Sequence, residues 1–203
     1  MMGKGLLFVV SGPSGTGKGT ICKSLVENTN IALSVSMTTR PPRADEIDGK
    51  NYYFVSEEEF IKVVEDDGFL EYALVYGHYY GTPKQAVFNM LDKGRDVVLE
   101  IDIQGALKIK EVWPKGVFIF ILPPSMTELR KRITGRGSES QCDIDIRIGE
   151  ALNEVSYIDK YDYCVVNDKV ECAVEKIIAI INAEHYRVSE DIYSLIENYK
   201  EEL

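Results

Sequence analysis

Short apolar runs alternate with amphipathic stretches along most of the chain. Each apolar run spans four to six residues and is followed by polar or glycine-containing segments. The four clearest runs are Leu6–Val10, Val97–Ile101, Val117–Leu122 and Tyr163–Val166. Continuous apolar runs of this length are typical of strands buried on both faces of a parallel sheet. Because stretches with helical spacing lie between them, the pattern predicts an α/β fold with helices on both faces of a parallel sheet.

Helix starts are predicted where a serine or threonine precedes a glutamate or glutamine by three residues. This capping-box spacing occurs at Ser56-x-x-Glu59, Thr82-x-x-Gln85 and Ser125-x-x-Glu128, and Pro83 would then be the first helical residue. The last third of the chain is predicted to be mostly helical, over Ile144–Asp159, Val170–Arg187 and a final acidic amphipathic segment.

Two segments break the alternation of strands and helices. Residues 34–82 combine strand-like threonine and tyrosine runs with one acidic helix, which predicts a mixed α+β insertion on the core. Residues 125–147 contain the polar, glycine-rich stretch Gly135–Ser140, with arginines on both sides, and we expect a small mobile lid there. The remaining residues, 1–33, 83–124 and 148–203, form the predicted core.

The most specific motif follows the first predicted strand. Its residues match G-x-x-x-x-G-K between a strand and a helix, which is the arrangement of a phosphate-binding P-loop. The motif comprises Gly12, Pro13, Ser14, Gly15, Thr16, Gly17, Lys18, Gly19 and Thr20. Glycines let successive N–H groups point at a phosphate, and the lysine can reach its outer oxygens. The alternative is an ordinary glycine-rich turn with a solvated lysine.

Net charge limits the classes of partner. The chain has 203 residues, which suggests one domain, and a formal net charge of −10. Ser56–Glu71 carries −6 and Ser189–Leu203 carries −4, so the rest of the chain is neutral. This balance argues against nucleic-acid polymers and anionic membranes as partners, but it does not exclude a small anionic ligand.

The expected location is cytoplasmic. The apolar run near the amino terminus is too short for a signal peptide, and no run approaches the roughly 18 residues of a membrane span. The four cysteines show no metal-binding spacing and are interpreted as free thiols in a reducing compartment.

A second group of residues suits a phosphate monoester. Arg40 and Arg43 lie in a proline-containing, extended segment, and an arginine fork can donate two parallel hydrogen bonds to phosphate. Tyr52 and Tyr80 follow in strand-like surroundings, where their hydroxyls can donate to the same group. Surface arginines and strand-forming tyrosines are the alternative interpretation.

Several further motifs resemble the guanylate kinase family. They are SxTTRxPR from Ser36, GKxYxFV (Gly49–Val55), FLEYA (Phe69–Ala73), YYGT (Tyr79–Thr82), LEIDIQGA (Leu99–Ala106) and GRGSES. Together with the P-loop they lie in the family's order within residues 8 to 168. The resemblance implies transfer of the γ-phosphoryl group of ATP to GMP, and to dGMP, in purine nucleotide metabolism.

The resemblance also implies roles for individual residues. The positions that match GMP contacts are Ser36, Arg40, Arg43, Tyr52, Glu71, Tyr80, Thr82 and Asp102. Arg132, Arg136 and Arg147 match catalytic lid arginines, and Asn167 matches a position near the adenine of ATP. Gly19 replaces the serine or threonine that ligates Mg²⁺ in many P-loops, so we expect ATP phosphates and water to hold this cofactor.

Guanine chemistry supports the same assignment. Guanine presents two adjacent donors and one acceptor, so the Glu71 carboxylate can accept both donors while Ser36 and Thr82 donate to the acceptor. Either Glu100 or Asp102 could orient GMP or a water bound to Mg²⁺, with Asp102 preferred. A solvated sheet-edge acid is the alternative for both.

Two other functions remain open from the sequence. One is a non-catalytic binding module of the same fold, and the other is a kinase for a different nucleoside monophosphate. The intact P-loop and the lid arginines favour an enzyme, and Glu71 favours guanine. No general base is predicted, because a phosphate acceptor is already ionised. The oligomeric state is not predicted.

Overall fold

The computed structural model describes residues 4–75, 77–134, 141–188 and 190–202. In chain order, its strands are β1 Leu7–Ser11, β2 Ala32–Leu33, β3 Met37–Thr38, β4 Tyr53–Phe54, β5 Phe69–Val75, β6 His78–Pro83, β7 Val97–Glu100, β8 Val117–Leu122 and β9 Tyr163–Val166. The helices are α1 Lys18–Asn28, α2 Glu57–Glu65, α3 Lys84–Leu91, α4 Ile103–Val112, α5 Met126–Thr134, α6 Gln141–Val155, α7 Val170–His185 and α8 Glu190–Glu201. A 3₁₀ helix at Ser156–Lys160 follows α6.

The core is a five-stranded parallel sheet in the order β2-β7-β1-β8-β9. Alternate residues of β1 enter two hydrophobic clusters, so that Phe8 and Val10 pack with α1 and α7 on one face. Leu7 and Val9 pack with α3 and α4 on the other face. The predicted fold class is therefore confirmed, and all four predicted core strands are present. β1 and β7 end at the same edge of this sheet.

The insertion forms a second sheet with mixed strand directions. Its order is β4-β3-β6-β5, with β3 parallel to β4 and antiparallel to β6. Helix α2 packs on this insertion sheet through Phe60, whose ring stacks on Phe69 at 4.5 Å and on Tyr79 at 5.3 Å between centroids. The predicted capping box starts α2, because the Ser56 and Glu59 side chains each accept the other's backbone N–H.

The capping box predicted at Thr82 is wrong. Pro83 occupies the N-cap position of α3, and no side-chain hydrogen bond caps that helix. The Thr82 hydroxyl instead donates to Glu71 Oε1 at 2.7 Å, across the β5–β6 pair. A buried carboxylate gains more from this donor than a helix end that water can solvate, which explains the difference.

The third predicted capping box, at Ser125, shows one of its two hydrogen bonds among the described residues. The Ser125 hydroxyl accepts the Glu128 N–H at 3.1 Å, while the Glu128 carboxylate accepts from Arg132. Helix α5 is thus capped, and its glutamate also fixes a predicted catalytic arginine.

Within the described part of the chain, no helix combines the length and the hydropathy needed to cross a bilayer. Cys22, Cys164 and Cys172 are free thiols, in agreement with the interpretation from the sequence.

Candidate functional site

The P-loop connects β1 to α1 and depends on glycine conformations. Gly12 has φ 138°, and a Cβ there would lie 2.4 Å from the Ile121 carbonyl oxygen. Gly17 has φ 90° and is the N-cap of α1. Both positions therefore require glycine. The loop is closed by the Thr16 hydroxyl, which donates to the Pro13 carbonyl at 2.9 Å.

Lys18 lies above this loop. Its Nζ donates to the Gly12 carbonyl at 2.6 Å and to the Pro13 carbonyl at 3.1 Å. Burial lowers the pKa of Lys18, and the carboxylates of Glu100, Glu154 and Asp102 oppose that effect. The result is a partly buried cation that main-chain oxygens hold at the carboxyl edge of the core sheet.

Asn167 is hydrogen-bonded to the P-loop. It is buried and donates from Nδ2 to the Thr16 carbonyl at 2.8 Å. The main-chain carbonyl of Asn167 accepts from Arg132 Nη2 at 3.1 Å, and Arg132 Nε pairs with Glu128 at 3.1 Å. The structure thus links two predicted site residues, Asn167 and Arg132, to the P-loop through one chain of hydrogen bonds.

A cleft of about 440 Å³ lies between the P-loop and the insertion sheet. Most residues predicted to bind the acceptor line this cleft together with Lys18. They are Ser36, Arg40, Arg43, Tyr52, Glu71, Tyr80, Glu100 and Asp102. Thr82 is fully buried behind Glu71. The predicted donor and acceptor residues therefore share one cavity.

A larger groove of about 560 Å³ lies at the opposite edge of the core sheet, where β2 and β7 begin. It is lined by Asn30, Asp96, His185 and their neighbours, and it contains no predicted site residue. In this groove His185 Nε2 lies 2.6 Å from Asp96 Oδ2.

Arg40 is held by contacts on several sides. Its Nη2 donates to both carboxylate oxygens of Glu46, at 2.8 and 2.9 Å, and its Nη1 donates to the Pro41 carbonyl. The guanidinium lies over the rings of Tyr52 and Phe54, with its Cζ 5.6 and 5.8 Å from the centroids. It also shares a hydrogen bond with the Tyr80 hydroxyl.

The two predicted tyrosines meet at the same place. The rings of Tyr52 and Tyr80 are in edge contact, with centroids 6.0 Å apart. Burial raises the pKa of Tyr52 well above its ordinary value, with a further contribution from Glu100. Tyr52 therefore keeps its proton and remains a hydrogen-bond donor.

Glu71 is the buried carboxylate of the cleft, with 7% of its surface exposed. Burial raises its pKa to about 7, although the hydrogen bond from Thr82 opposes the shift. The carboxylate also lies against α4, since a Cβ on Gly105 would come within 2.6 Å of Glu71 Oε2. Glu71 is thus held between Thr82 and a glycine of the neighbouring helix.

Asp102 and Glu100 have different surroundings at the sheet edge. Asp102 is the N-cap of α4, where its Oδ1 accepts the Gly105 N–H at 3.0 Å. Glu100 lies beside Gly19, since a Cβ at residue 19 would be 3.3 Å from both carboxylate oxygens. A serine or threonine at residue 19 would require the Glu100 carboxylate to shift by a few tenths of an ångström.

Three residues that the sequence did not single out contribute to the site. Glu46 pairs with Arg40, Gly105 contacts Glu71, and Glu154 of α6 lines the cleft while accepting the Ser14 N–H. Burial raises the pKa of Glu154, and Lys18 opposes the shift. Only Glu46 had a local signal, because it follows Arg43 by three residues. The other two contacts depend on the packing of helices.

Two predicted catalytic arginines cannot be placed. Arg136 and the side chain of Arg147 lie outside the described residues. Among the described residues, no group of three histidines, cysteines or acids is arranged to hold a metal ion. Asp102 and Glu100 are the carboxylates at the end of β7 that could contact a metal through water.

Comparisons with known proteins agree with this geometry. A family model described as "Guanylate kinase" matches residues 4–184. The guanylate kinase of Caldanaerobacter subterraneus subsp. tengcongensis is 62% identical over 193 residues, which is 94% of each chain. That of Clostridium tetani is 61% identical, over 92% of this chain and 90% of the relative.

Solved structures show the same likeness. The crystal structure of guanylate kinase from Anaplasma phagocytophilum matches with a TM-score of 0.77 and 39% identity, over 91% of this chain and 88% of that one. The crystal structure of TT1252 from Thermus thermophilus matches with a TM-score of 0.51, and at 14% identity this likeness concerns the fold alone.

Proposed function

The chain belongs to the guanylate kinase family and is a kinase, and from this premise we propose that it transfers the γ-phosphoryl group of ATP to GMP. The products are ADP and GDP. The observation that carries the proposal is the position of a buried carboxylate, Glu71, in the same cleft as the P-loop lysine, Lys18. One cavity then receives both a guanine and a phosphate chain.

The donor is bound by the P-loop, Gly12–Thr20. Its N–H groups and the start of α1 favour an anion, and Lys18 supplies a positive charge beside them. Asn167 holds the loop through Thr16 and completes the ATP-binding set that we propose. Two carbonyl contacts keep Lys18 close to the position where phosphoryl charge develops.

The phosphate of the acceptor is bound by Arg40, Arg43, Tyr52 and Tyr80. The guanidinium of Arg40 contacts Tyr52 and Tyr80, so these groups can converge on one phosphate. Charge-assisted hydrogen bonds to phosphate are about twice as strong as neutral ones. Because that phosphate is already ionised, no residue has to remove a proton from it.

The base is recognised by Glu71 and Ser36, and Thr82 acts through Glu71, because its one hydroxyl proton is already donated to Oε1 of that carboxylate. The ionised Glu71 carboxylate accepts the two adjacent guanine donors, and adenine would leave it buried without these partners. A site built on such hydrogen bonds can discriminate by roughly 10⁴. We extend the proposal to dGMP, because these contacts address the base and the phosphate rather than the 2′-hydroxyl.

Catalysis is then positioning together with electrostatic stabilisation. Lys18 and the arginines at 132, 136 and 147 would stabilise the charge on the transferring phosphoryl group. Arg132 is already tied to the P-loop through Asn167. We propose the division of the chain in the same terms, as a core, a GMP-binding region at 34–82 and a lid at 125–147.

Mg²⁺ fits the donor set of this cleft. Oxygen ligands from phosphates and water suit the ion, and Asp102 and Glu100 offer carboxylates at the end of β7. When bound, the ion would neutralise charge on the ATP phosphates. Gly19 has no hydroxyl to offer, so these two acids would act through water. The proposal includes a cytoplasmic location and a place in purine nucleotide metabolism, which these substrates and the free thiols support.

A coupled assay of ADP release tests the proposal. The purified protein is given ATP·Mg²⁺ with GMP, dGMP, AMP or UMP in turn. We expect rapid turnover of GMP and dGMP and at least roughly 10⁴-fold lower kcat/KM for AMP. Equal turnover of AMP and GMP would reject the guanine assignment, and no turnover of any nucleotide would reject the kinase reaction.

A further inference from the structure

Both proposed phosphate arginines lie in one loop between β3 and β4. This loop folds back on itself, since the Glu46 N–H donates to the Arg43 carbonyl at 3.1 Å. The Glu46 side chain then returns to the two arginines. Its position is fixed from inside the loop, with 11% of the side chain exposed.

Glu46 forms an ion pair with Arg40. Both carboxylate oxygens accept from Arg40 Nη2, at 2.8 and 2.9 Å, and the Arg40 side chain is only 13% exposed. Both of these bonds come from one nitrogen and hold Nη2, while the Nη1 bond to the Pro41 carbonyl, at 2.6 Å, holds the second nitrogen of the guanidinium. The contact leaves the Arg40 Nε–H and part of Nη1 available to other acceptors.

Glu46 also positions Arg43. Its Oε2 accepts the Arg43 backbone N–H at 2.7 Å, and its Oε1 lies 3.8 Å from Arg43 Nη1. The Arg43 side chain is 56% exposed, so its backbone N–H is held while its guanidinium remains accessible to solvent. One carboxylate therefore organises both arginines.

The charge on Glu46 is maintained inside this cluster. Burial alone would raise the pKa of Glu46, but hydrogen bonds from Arg40 and the Arg43 N–H hold it below its ordinary value. An ionised acid beside a phosphate site would by itself repel the phosphate. Its presence at this point is explained if the geometry it imposes on the arginines outweighs that repulsion.

We propose that Glu46 is a positioning residue for the phosphate of GMP, holding Arg40 and the Arg43 backbone in the orientation that receives it. This proposal rests on the proposed function, because it requires GMP to bind in this cleft. It acts on the phosphate and not on the base, which separates it from Glu71.

The distinction between phosphate and base makes the proposal testable. Guanosine carries the same base as GMP but has no phosphate. Loss of Glu46 should therefore weaken GMP binding and leave guanosine binding unchanged. A general loss of structure would weaken both ligands alike, so guanosine serves as an internal measure of folding.

The experiment is calorimetric titration of GMP and guanosine into the wild-type protein, Glu46→Ala, Glu46→Gln and a control, Glu184→Ala. Glu184 is also a partly buried glutamate paired with an arginine, at 3.3 Å from Arg187, but it lies on α7 away from the cleft. Steady-state assays of the same proteins give kcat and the KM for GMP and for ATP.

We expect Glu46→Ala to weaken GMP binding roughly tenfold and guanosine binding less than about twofold. Glu46→Gln keeps one acceptor for Arg40 but loses the charge, so its GMP affinity should fall roughly threefold. The KM for GMP should rise with the dissociation constant, while the KM for ATP stays constant. Glu184→Ala should match the wild type with both ligands.

Four results would overturn the proposal. Equal weakening of GMP and guanosine would show a structural role only. Tighter GMP binding by either Glu46 variant would show that the carboxylate obstructs the phosphate. If Glu46→Ala does not fold, unchanged GMP binding by Glu46→Gln would exclude a role for the negative charge of Glu46. A wild-type protein that binds no GMP would reject the proposed function itself, and the Glu46 proposal with it.

Discussion

The P-loop and the acceptor side of the cleft hold their positive charges in different ways. On the P-loop, Lys18 is bonded to main-chain carbonyls of the loop that it follows. On the acceptor side, Arg40 is hydrogen-bonded to the carboxylate of Glu46. Its guanidinium lies over two aromatic rings, Phe54 of β4 and Tyr52 just before that strand. The first arrangement depends on backbone conformation within nine residues. The second depends on side chains from several elements.

This difference determines how each half responds to substitution. The P-loop can be damaged by changes within its own short motif. The acceptor side can also be damaged by substitutions in other elements, because the position of Glu71 depends on Thr82 of β6 and on the small size of Gly105 in α4. The two halves should therefore be separable by mutation.

The largest expected effect comes from Lys18→Ala. Removal of the cation should lower kcat by roughly 10²–10³, because its charge acts mainly on the transition state. The dissociation constant of GMP should change less than about twofold. Rapid-quench kinetics and GMP titration measure the two quantities separately.

Lys23→Ala is the matched control for that variant, since Lys23 lies on the same helix and is exposed. It should retain wild-type kcat. An equal loss of kcat and of GMP affinity in Lys18→Ala would contradict the separation of the two halves.

Gly105→Ala should damage the acceptor side alone. The new Cβ would lie 2.6 Å from Glu71 Oε2 and 3.1 Å from its carboxyl carbon, so the carboxylate must move. We expect the KM for GMP to rise roughly 10- to 100-fold while the KM for ATP stays constant. Steady-state kinetics with each substrate varied in turn gives both values.

Gly149→Ala provides the control for this substitution. It also places an alanine in a helix, but nothing lies within 4 Å of the added Cβ. Its kinetics should equal those of the wild type. If Gly105→Ala raised the KM for ATP as much as that for GMP, Glu71 would not be the group affected.

A smaller effect is expected from pH. Since the pKa of Glu71 is about 7, the carboxyl is about 10% ionised at pH 6 and about 90% at pH 8. Only the ionised form accepts both guanine donors, so guanosine affinity should rise roughly tenfold over this interval. The neighbouring charges that face Glu71 are Asp102 and Lys108.

Guanosine is the appropriate ligand because the phosphate of GMP itself titrates near pH 6. Calorimetric titration at half-unit steps of pH gives the curve, and Glu71→Gln should give a flat one. A guanosine affinity that falls as pH rises would have the wrong sign for a carboxylate acceptor.

The same difference between local and distant contacts explains which features of the fold and of the site can be predicted from the sequence. The bounds of β8 agree with its apolar run, and those of β1 differ from its run by one residue at each end. These strands could be predicted because burial on both faces leaves a continuous apolar pattern. The P-loop was predicted because its chemistry is local. The four residues for the acceptor phosphate, Arg40, Arg43, Tyr52 and Tyr80, were predicted from the chemistry of phosphate binding, and a resemblance added the others. The structure brings most of them into one cleft.

Most of the missed features depend on contacts between distant segments, and Glu46 is the exception, because it contacts Arg40 and Arg43 within its own loop. Thr82 was predicted as a helix cap, but its hydroxyl donates a hydrogen bond to Glu71 on the neighbouring strand. Gly105 and Glu154 contact the site through helices whose packing has no signature in local spacing. The roles of Arg136 and Arg147 remain predictions.

The recognition of guanine by Glu71 is tested most directly by comparing the kcat/KM for GMP and AMP in the wild type and in Glu71→Gln. We predict a wild-type preference for GMP of roughly 10⁴, because adenine leaves the buried carboxylate unpaired. The amide should reduce this preference roughly 100-fold through loss of GMP activity, with the KM for ATP unchanged. A wild-type ratio near one, or a preference that Glu71→Gln leaves intact, would contradict recognition of guanine by Glu71.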